Sequence, residues 1–189
     1  MPRTQPADVR RDQLLDAAER VLLEQGLRAM TVADVAQAAG VAKGTMYLYF
    51  RSKDELIAGL RARYFERYNA AIDAETPSNA RERLRVLIVA LFDVGVAHHE
   101  LHHVLFHEAG FSEADAFAGV RDRVLDTLAE GEANGEFAFA DRKLAASFLL
   151  HGVHGALVEV LHEHRPARRK ALELAALVDR VVVPVQAAD

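Results

Sequence analysis

Helical periodicity, carried almost from one end of the chain to the other, is the feature that most constrains its fold. Apolar residues recur at three- and four-residue spacing: Leu14, Ala17, Ala18, Val21 and Leu22, then Val32, Val35, Ala36 and Ala39, then Leu84, Leu87, Ile88, Leu91, Phe92 and Gly95. That spacing lines one face of a helix, whereas a half-buried strand needs strict alternation. Ala, Leu, Glu and Arg, all good helix formers, dominate the composition. The expectation is an all-α fold.

Cap residues divide the pattern. A first helix over about 9–25 stops at Gly26. Thr31, with Asp34 three residues on, opens a second in a capping-box arrangement. Gly40 ends it, and Ala39-Gly40-Val41 reads as the tight turn of a helix-turn-helix. Lys43 to Tyr49 is a short third helix with Met46 and Phe50 turned inward. Ser52 with Glu55 is a second capping box and starts a fourth helix through Leu56, Leu60, Tyr64 and Tyr68 to about Ala74. Thr76-Pro77 predicts the start of the fifth. Beyond a punctuating Gly110, a helix over about 112–133 ends at Asn134-Gly135. Asp141 caps another, through Leu144, Phe148, Leu149 and Leu157 to about Glu163. Pro166 precedes a last helix over about 167–183. These signals predict a small domain over 9–74 and a larger one over 75–189.

The chain of 189 residues has no cysteine, which excludes disulfides and thiolate metal sites and fits a reducing compartment. No apolar run reaches the roughly 18 residues that span a membrane, and the first residues carry no apolar stretch like a signal peptide's. The expected location is the cytoplasm, with no membrane partner. The net charge of −5 is a poor match to a nucleic-acid binder, but the charge is unevenly placed. Residues 1–67 hold 11 Lys and Arg against 9 Asp and Glu, and residues 68–189 hold 12 against 19. A slightly basic head on an acidic body is what that division describes.

The run from Thr31 to Leu56 contains the turn glycine, then Lys43-Gly44-Thr45-Met46-Tyr47-Leu48-Tyr49-Phe50, then Ser52-Lys53-Asp54-Glu55-Leu56. This order resembles the DNA-binding module of tetracycline-repressor (TetR) regulators over about residues 9–70. A short helix of this kind enters the major groove with its N-terminal residues foremost. Lys43 and the positive helix end suit phosphate. Gly44 lets backbone come close, and Thr45 suits a phosphate or a thymine methyl. Tyr47 and Tyr49 offer hydroxyls to phosphate, and Lys53 suits the flanking backbone. The resemblance implies that Thr31 also holds a phosphate. Base reading falls to Thr45, Leu48 and Lys43. Ala42 stands where the family often has a Ser or Thr cap, and Leu48 where some relatives have a polar residue. Arg3, Arg10 and Arg11 form an arm that suits either a minor groove or an unstructured terminus.

The resemblance further implies a homodimer on a palindromic operator, a C-terminal effector pocket and, most often, repression. The last two helices are the expected dimer interface, with Gly152, Gly155 and Ala156 permitting close approach. No enzyme activity, catalytic residue, resident metal or cofactor is expected.

Nine histidines are many for this length, and five fall between His98 and His107. His99-Glu100-Leu101-His102-His103 matches the H-E-x-x-H spelling of zinc hydrolases. His99, His103 and His107, four apart on one helical face, also suit a metal- or haem-sensing variant of the regulator. As a wall for an organic effector they join Leu91, Phe92, Phe106, Phe148 and His151. His99 and His151 extend the apolar stripes 84-88-92-95 and 144-148.

Overall fold

The computed structural model describes residues 6–108, 118–163 and 167–181. Among the described residues every regular element is a helix, and the all-α expectation holds. In order they are α1 (Ala7–Ala29), α2 (Val32–Ala38), α3 (Lys43–Tyr49), α4 (Lys53–Asp73), α5 (Ala80–Ala97), α6 (His99–His103) and a π turn (Val104–Glu108). Then come α7 (Ala118–Ala133), α8 (Arg142–Glu163) and α9 (Ala167–Val181). The chain divides into two compact units, Met1–Tyr64 with Glu100–Phe111, and Phe65–His99 with Ser112–Asp189.

In the first unit α1 packs on α2, α2 on α3, and the π turn on α1. The amphipathic stripe of α1 is buried from Leu14 to Leu22, and the helix breaks where expected, at Gly26 with φ 78°. Met46, Phe50, Leu56, Leu60 and Tyr64 complete this core with Leu101 and Leu105 from the second segment. Arg63 on α4 clamps α1: its guanidinium donates to the carboxylates of Asp16 and Glu19 and, at 3.0 Å, to the Leu15 carbonyl. Its side chain is only 12% exposed, so these acceptors offset the desolvation of its charge.

In the second unit α5 packs against α7, α8 and α9, and α8 also touches α7 and α9. Leu84, Leu87, Ile88, Phe92, Leu128, Leu157 and Ala171 fill its centre. The Glu136 carboxylate accepts from the amides of Ala80 and Arg81 at 3.3 and 3.1 Å, sealing the start of α5. Gly131 has a packing reason: a Cβ there would lie 2.0 Å from the Phe137 ring.

Three expectations need correction. First, α5 starts at Ala80, because Asn79 takes the N-cap and accepts from the Glu82 amide at 2.8 Å. Ser78 donates through N–H and Oγ to the Glu82 carboxylate, leaving Thr76-Pro77 in the preceding loop. Second, His98 leaves helical geometry at φ −126°, ψ 39°, so His99 starts α6 and does not extend the α5 stripe. Third, the 144-148-151 stripe faces out of the protomer, with Leu144 68% and Phe148 65% exposed and His151 exposed beside them. Arg142–His162 is apolar for its length, with a mean hydropathy of 1.6, but Ser147, His151, His154 and Glu159 interrupt it, so the expectation of no unbroken apolar run of about 18 residues stands. The expectations placed on Arg3, Gly110, 112–117, Pro166 and 182–183 lie outside the described residues.

Candidate nucleic-acid interface

The geometry of the interface begins at Thr31. Its Oγ accepts from the Asp34 amide at 3.2 Å, and the Asp34 carboxylate accepts from the Thr31 amide at 2.9 Å. The Thr31 hydroxyl also donates to Asp34 at 2.6 Å, so its proton is already engaged on the protein. The side-chain and then the backbone hydrogen bond from Thr31 hold the Asp34 carboxyl below its ordinary value.

The turn into α3 is a Schellman motif. Val41 N–H reaches the Ala36 carbonyl and Gly40 N–H the Gln37 carbonyl, both at 3.0 Å. Gly40 sits at φ 65°, which glycine adopts without a Cβ penalty. α3 then begins at Lys43 with Ala42 in the N-cap position and no side-chain cap.

The two sides of α3 differ sharply. Met46 is fully buried and Phe50, its C-cap, is 1% exposed, whereas Leu48 is 83% and Tyr47 43% exposed. Lys43 and Gly44 are exposed, and Thr45 and Tyr49 half-buried. The Lys43 ammonium stands 5.9 Å from the Tyr47 ring centroid, near enough for a cation–π contact. Lys43, Gly44, Thr45, Tyr47, Leu48 and Tyr49 thus share one short helix, with Thr31 at the cap of its predecessor. Lys53 is placed differently: half-buried at the start of α4, it donates its ammonium to the Leu27 carbonyl near the end of α1. The capping at Ser52 also differs in detail. Glu55 N–H donates to Ser52 Oγ at 3.1 Å, but the Glu55 carboxylate accepts from Arg51 N–H at 2.7 Å.

His99, His103 and His107 are all exposed, and the helix that carries them passes into a π turn from Val104. Within the first unit, His102 is 2% exposed, bonded through Nδ1 to the Tyr64 hydroxyl at 2.9 Å. Phe106 packs edge-on to Tyr64 with centroids 5.3 Å apart, and His103 and His107 stack at 5.5 Å. His103 Nδ1 also meets Glu108 Oε1 at 3.3 Å. Of the other residues expected in a pocket, Phe92 is in the core of the second unit, Leu91 is half-buried and His99 is exposed. Phe148 and His151 line two different surface clefts on α8. The cleft beside His151 also involves Arg121, Lys143 and Ser147, which the sequence reading did not single out. The signal was available for two of these three, since 143 and 147 precede His151 at four-residue spacing on one helix face.

A helix-turn-helix with a sealed inner face and an exposed outer one defines a DNA-binding protein of the bacterial regulator class. The profile described as "Bacterial regulatory proteins, tetR family" matches residues 14–60. The HTH-type transcriptional repressor KstR2 of Mycobacterium tuberculosis is 33% identical over 141 residues, covering 68% of this chain and 69% of that protein. The fatty acid degradation regulator FadR of Bacillus halodurans superposes with a TM-score of 0.74 at 25% identity, over 89% of this chain and 97% of that one. FadR of Bacillus subtilis, solved in complex with stearoyl-CoA, gives 0.71 at 25% identity, over 91% and 97%. The chain belongs to the TetR family of transcription regulators. It is a regulator and not an enzyme, as are the relatives it matches.

Proposed function

We propose that the protein is a ligand-responsive repressor that binds a palindromic operator as a homodimer in the cytoplasm. Residues 9–74 serve as the DNA-binding domain and 75–189 as the effector-binding and dimerisation domain. The observation that carries this reading is the contrast across α3, with Met46 and Phe50 sealed inward and Leu48, Tyr47 and Lys43 in solvent. An apolar side chain as exposed as Leu48 has a use in a major groove, against a thymine methyl. Lys43, Tyr47, Tyr49 and the Gly44 backbone supply phosphate contacts around it, with Thr45 beside them and Thr31 at the flank. Lys53 joins them through the ammonium hydrogens not engaged by Leu27.

One such helix reads only a short half-site, so two copies roughly one DNA turn apart are required. The outward Leu144 and Phe148 of α8 favour a second copy as their cover, because apolar surface of this kind marks an interface. A Cβ at Gly152 or Gly155 would meet nothing within 4 Å, which leaves room for a partner helix. The effector class is an acyl thioester, on the strength of the stearoyl-CoA held by a relative. The effector releases operator by binding one of two states of the dimer more tightly.

The test is salt-dependent binding of the intact protein to DNA upstream of its own gene. Lys43→Ala should weaken binding about equally on all sequences and lower the salt slope by about one. Tyr47→Ala should weaken it as well. Operator affinity unchanged in both variants would overturn the assignment of α3.

A further inference from the structure

We infer that Arg11 is a positioning residue for DNA reading: its guanidinium, stacked on Phe50, fixes the end of α3 against α1 and α4. The inference rests on the reading of α3 as the recognition helix, and it starts from a weakness of that helix. Seven residues make about two turns, too few to be stable alone. Ala42 gives the N-terminal end no side-chain cap. The helix is therefore held by what packs on its inner face, Met46 in the middle and Phe50 at the C-cap. Phe50 has left helical geometry at φ −140°, ψ 109°, yet its N–H still donates to the Met46 carbonyl at 3.0 Å. Moving the Phe50 ring thus moves the last turn of α3.

Other groups converge on that ring. The Arg11 guanidinium carbon lies 5.2 Å from the ring centroid, within cation–π range. A Cβ built on Gly59 of α4 would stand 2.9 Å from Phe50 Cε1, 3.1 Å from Leu15 Cδ2 and 3.4 Å from Arg11 Nη2. Gly59 is inside α4, where glycine weakens a helix, and it has no positive φ to account for it. Its use is space: the missing side chain lets α1, α4 and the end of α3 close on one another. Arg11 is exposed whereas Phe50 is 1% exposed, so the guanidinium covers the ring with one side and keeps water on the other. Arg11 belongs to α1 and to the roof of this core, where its sequence suggested an arm for the minor groove. Groups that read a ligand must be held within about 0.5 Å of their productive places. A small tilt of α3 therefore loses base contacts while the charge facing the phosphates is unchanged.

The test is salt-dependent binding of the intact protein to operator and to non-specific DNA, for Arg11→Gln, Gly59→Ala and Lys43→Ala. Circular dichroism checks that each variant is folded. Arg11→Gln should weaken operator binding about two- to tenfold, the worth of a cation–π contact. It should leave non-specific binding and the salt slope as in the parent, which a phosphate contact would not. Gly59→Ala displaces the ring from the other side without touching a charge, and should weaken operator binding with the same unchanged slope. Lys43→Ala should lower the slope by about one. A slope lowered by about one in Arg11→Gln makes Arg11 a phosphate contact and overturns the proposal. Parent-like operator affinity in Arg11→Gln or in Gly59→Ala, beside a weakened Lys43→Ala, overturns it as well and leaves the α3 reading standing. Parent-like affinity in both Arg11→Gln and Lys43→Ala overturns the α3 reading, and this proposal with it.

Discussion

Tyr64 and His102 are 38 residues apart in the chain, yet the hydroxyl and Nδ1 lie 2.9 Å apart in a site closed to water. A buried polar pair of this kind is costly to break, because the lost bond is not replaced by solvent. Tyr64→Phe should therefore destabilise the protein by about 1–3 kcal/mol, read from the urea midpoint, while changing shape by a single oxygen. The same scale shows where sequence reading stops. The inward turn of Met46 and Phe50 was legible from their spacing of four. The bond from Lys53 to the Leu27 carbonyl was not, because an acceptor 26 residues away leaves no local trace.

At the scale of elements, caps carried most of the legible information. Thr31 with Asp34, Gly40, Asp141 and Asn134-Gly135 each mark an end that the backbone honours, since each satisfies or terminates a specific set of amides and carbonyls. Asp141 Oδ1, for instance, accepts from the amides of Lys143 and Leu144 at 2.8 and 3.1 Å. The start of α5 was misplaced because Thr76-Pro77 and Ser78-Asn79 are both plausible starts, and only Asn79 has Glu82 three residues on. The π turn was illegible because no residue type marks an i→i+5 hydrogen bond, so the spacing of His99, His103 and His107 reads as one continuous α-helix. Ala42 offers a test at this scale. Ala42→Ser supplies the acceptor that α3 lacks, and should raise stability by about 0.5–2 kcal/mol in thermal unfolding.

At the scale of the whole molecule, α8 is the element that periodicity misread. It is apolar on more than one side, so the spacing of Leu144 and Phe148 could not tell a face turned to the protomer's own core from one turned outward. If that outward face meets a second copy, charge there must be buried or the pair must part. Leu144→Glu with Phe148→Glu should convert the dimer to a folded monomer in sedimentation equilibrium, with unchanged helix content by circular dichroism and operator affinity sharply reduced. A dimer persisting in the double variant would place the interface elsewhere.

The first unit takes Glu100–Phe111 from well beyond its own main segment. Leu101 and Leu105 fill its core, and the Leu105 carbonyl accepts from Arg61 Nε at 3.2 Å across 44 residues. On the ribosome, then, the DNA-reading head cannot close its core as soon as its own helices emerge. It waits until residue 105 has left the exit tunnel, by which time α5 has been made. A gene cut after α4 would encode every residue proposed to touch DNA and still lack part of the hydrophobic interior that holds them in place.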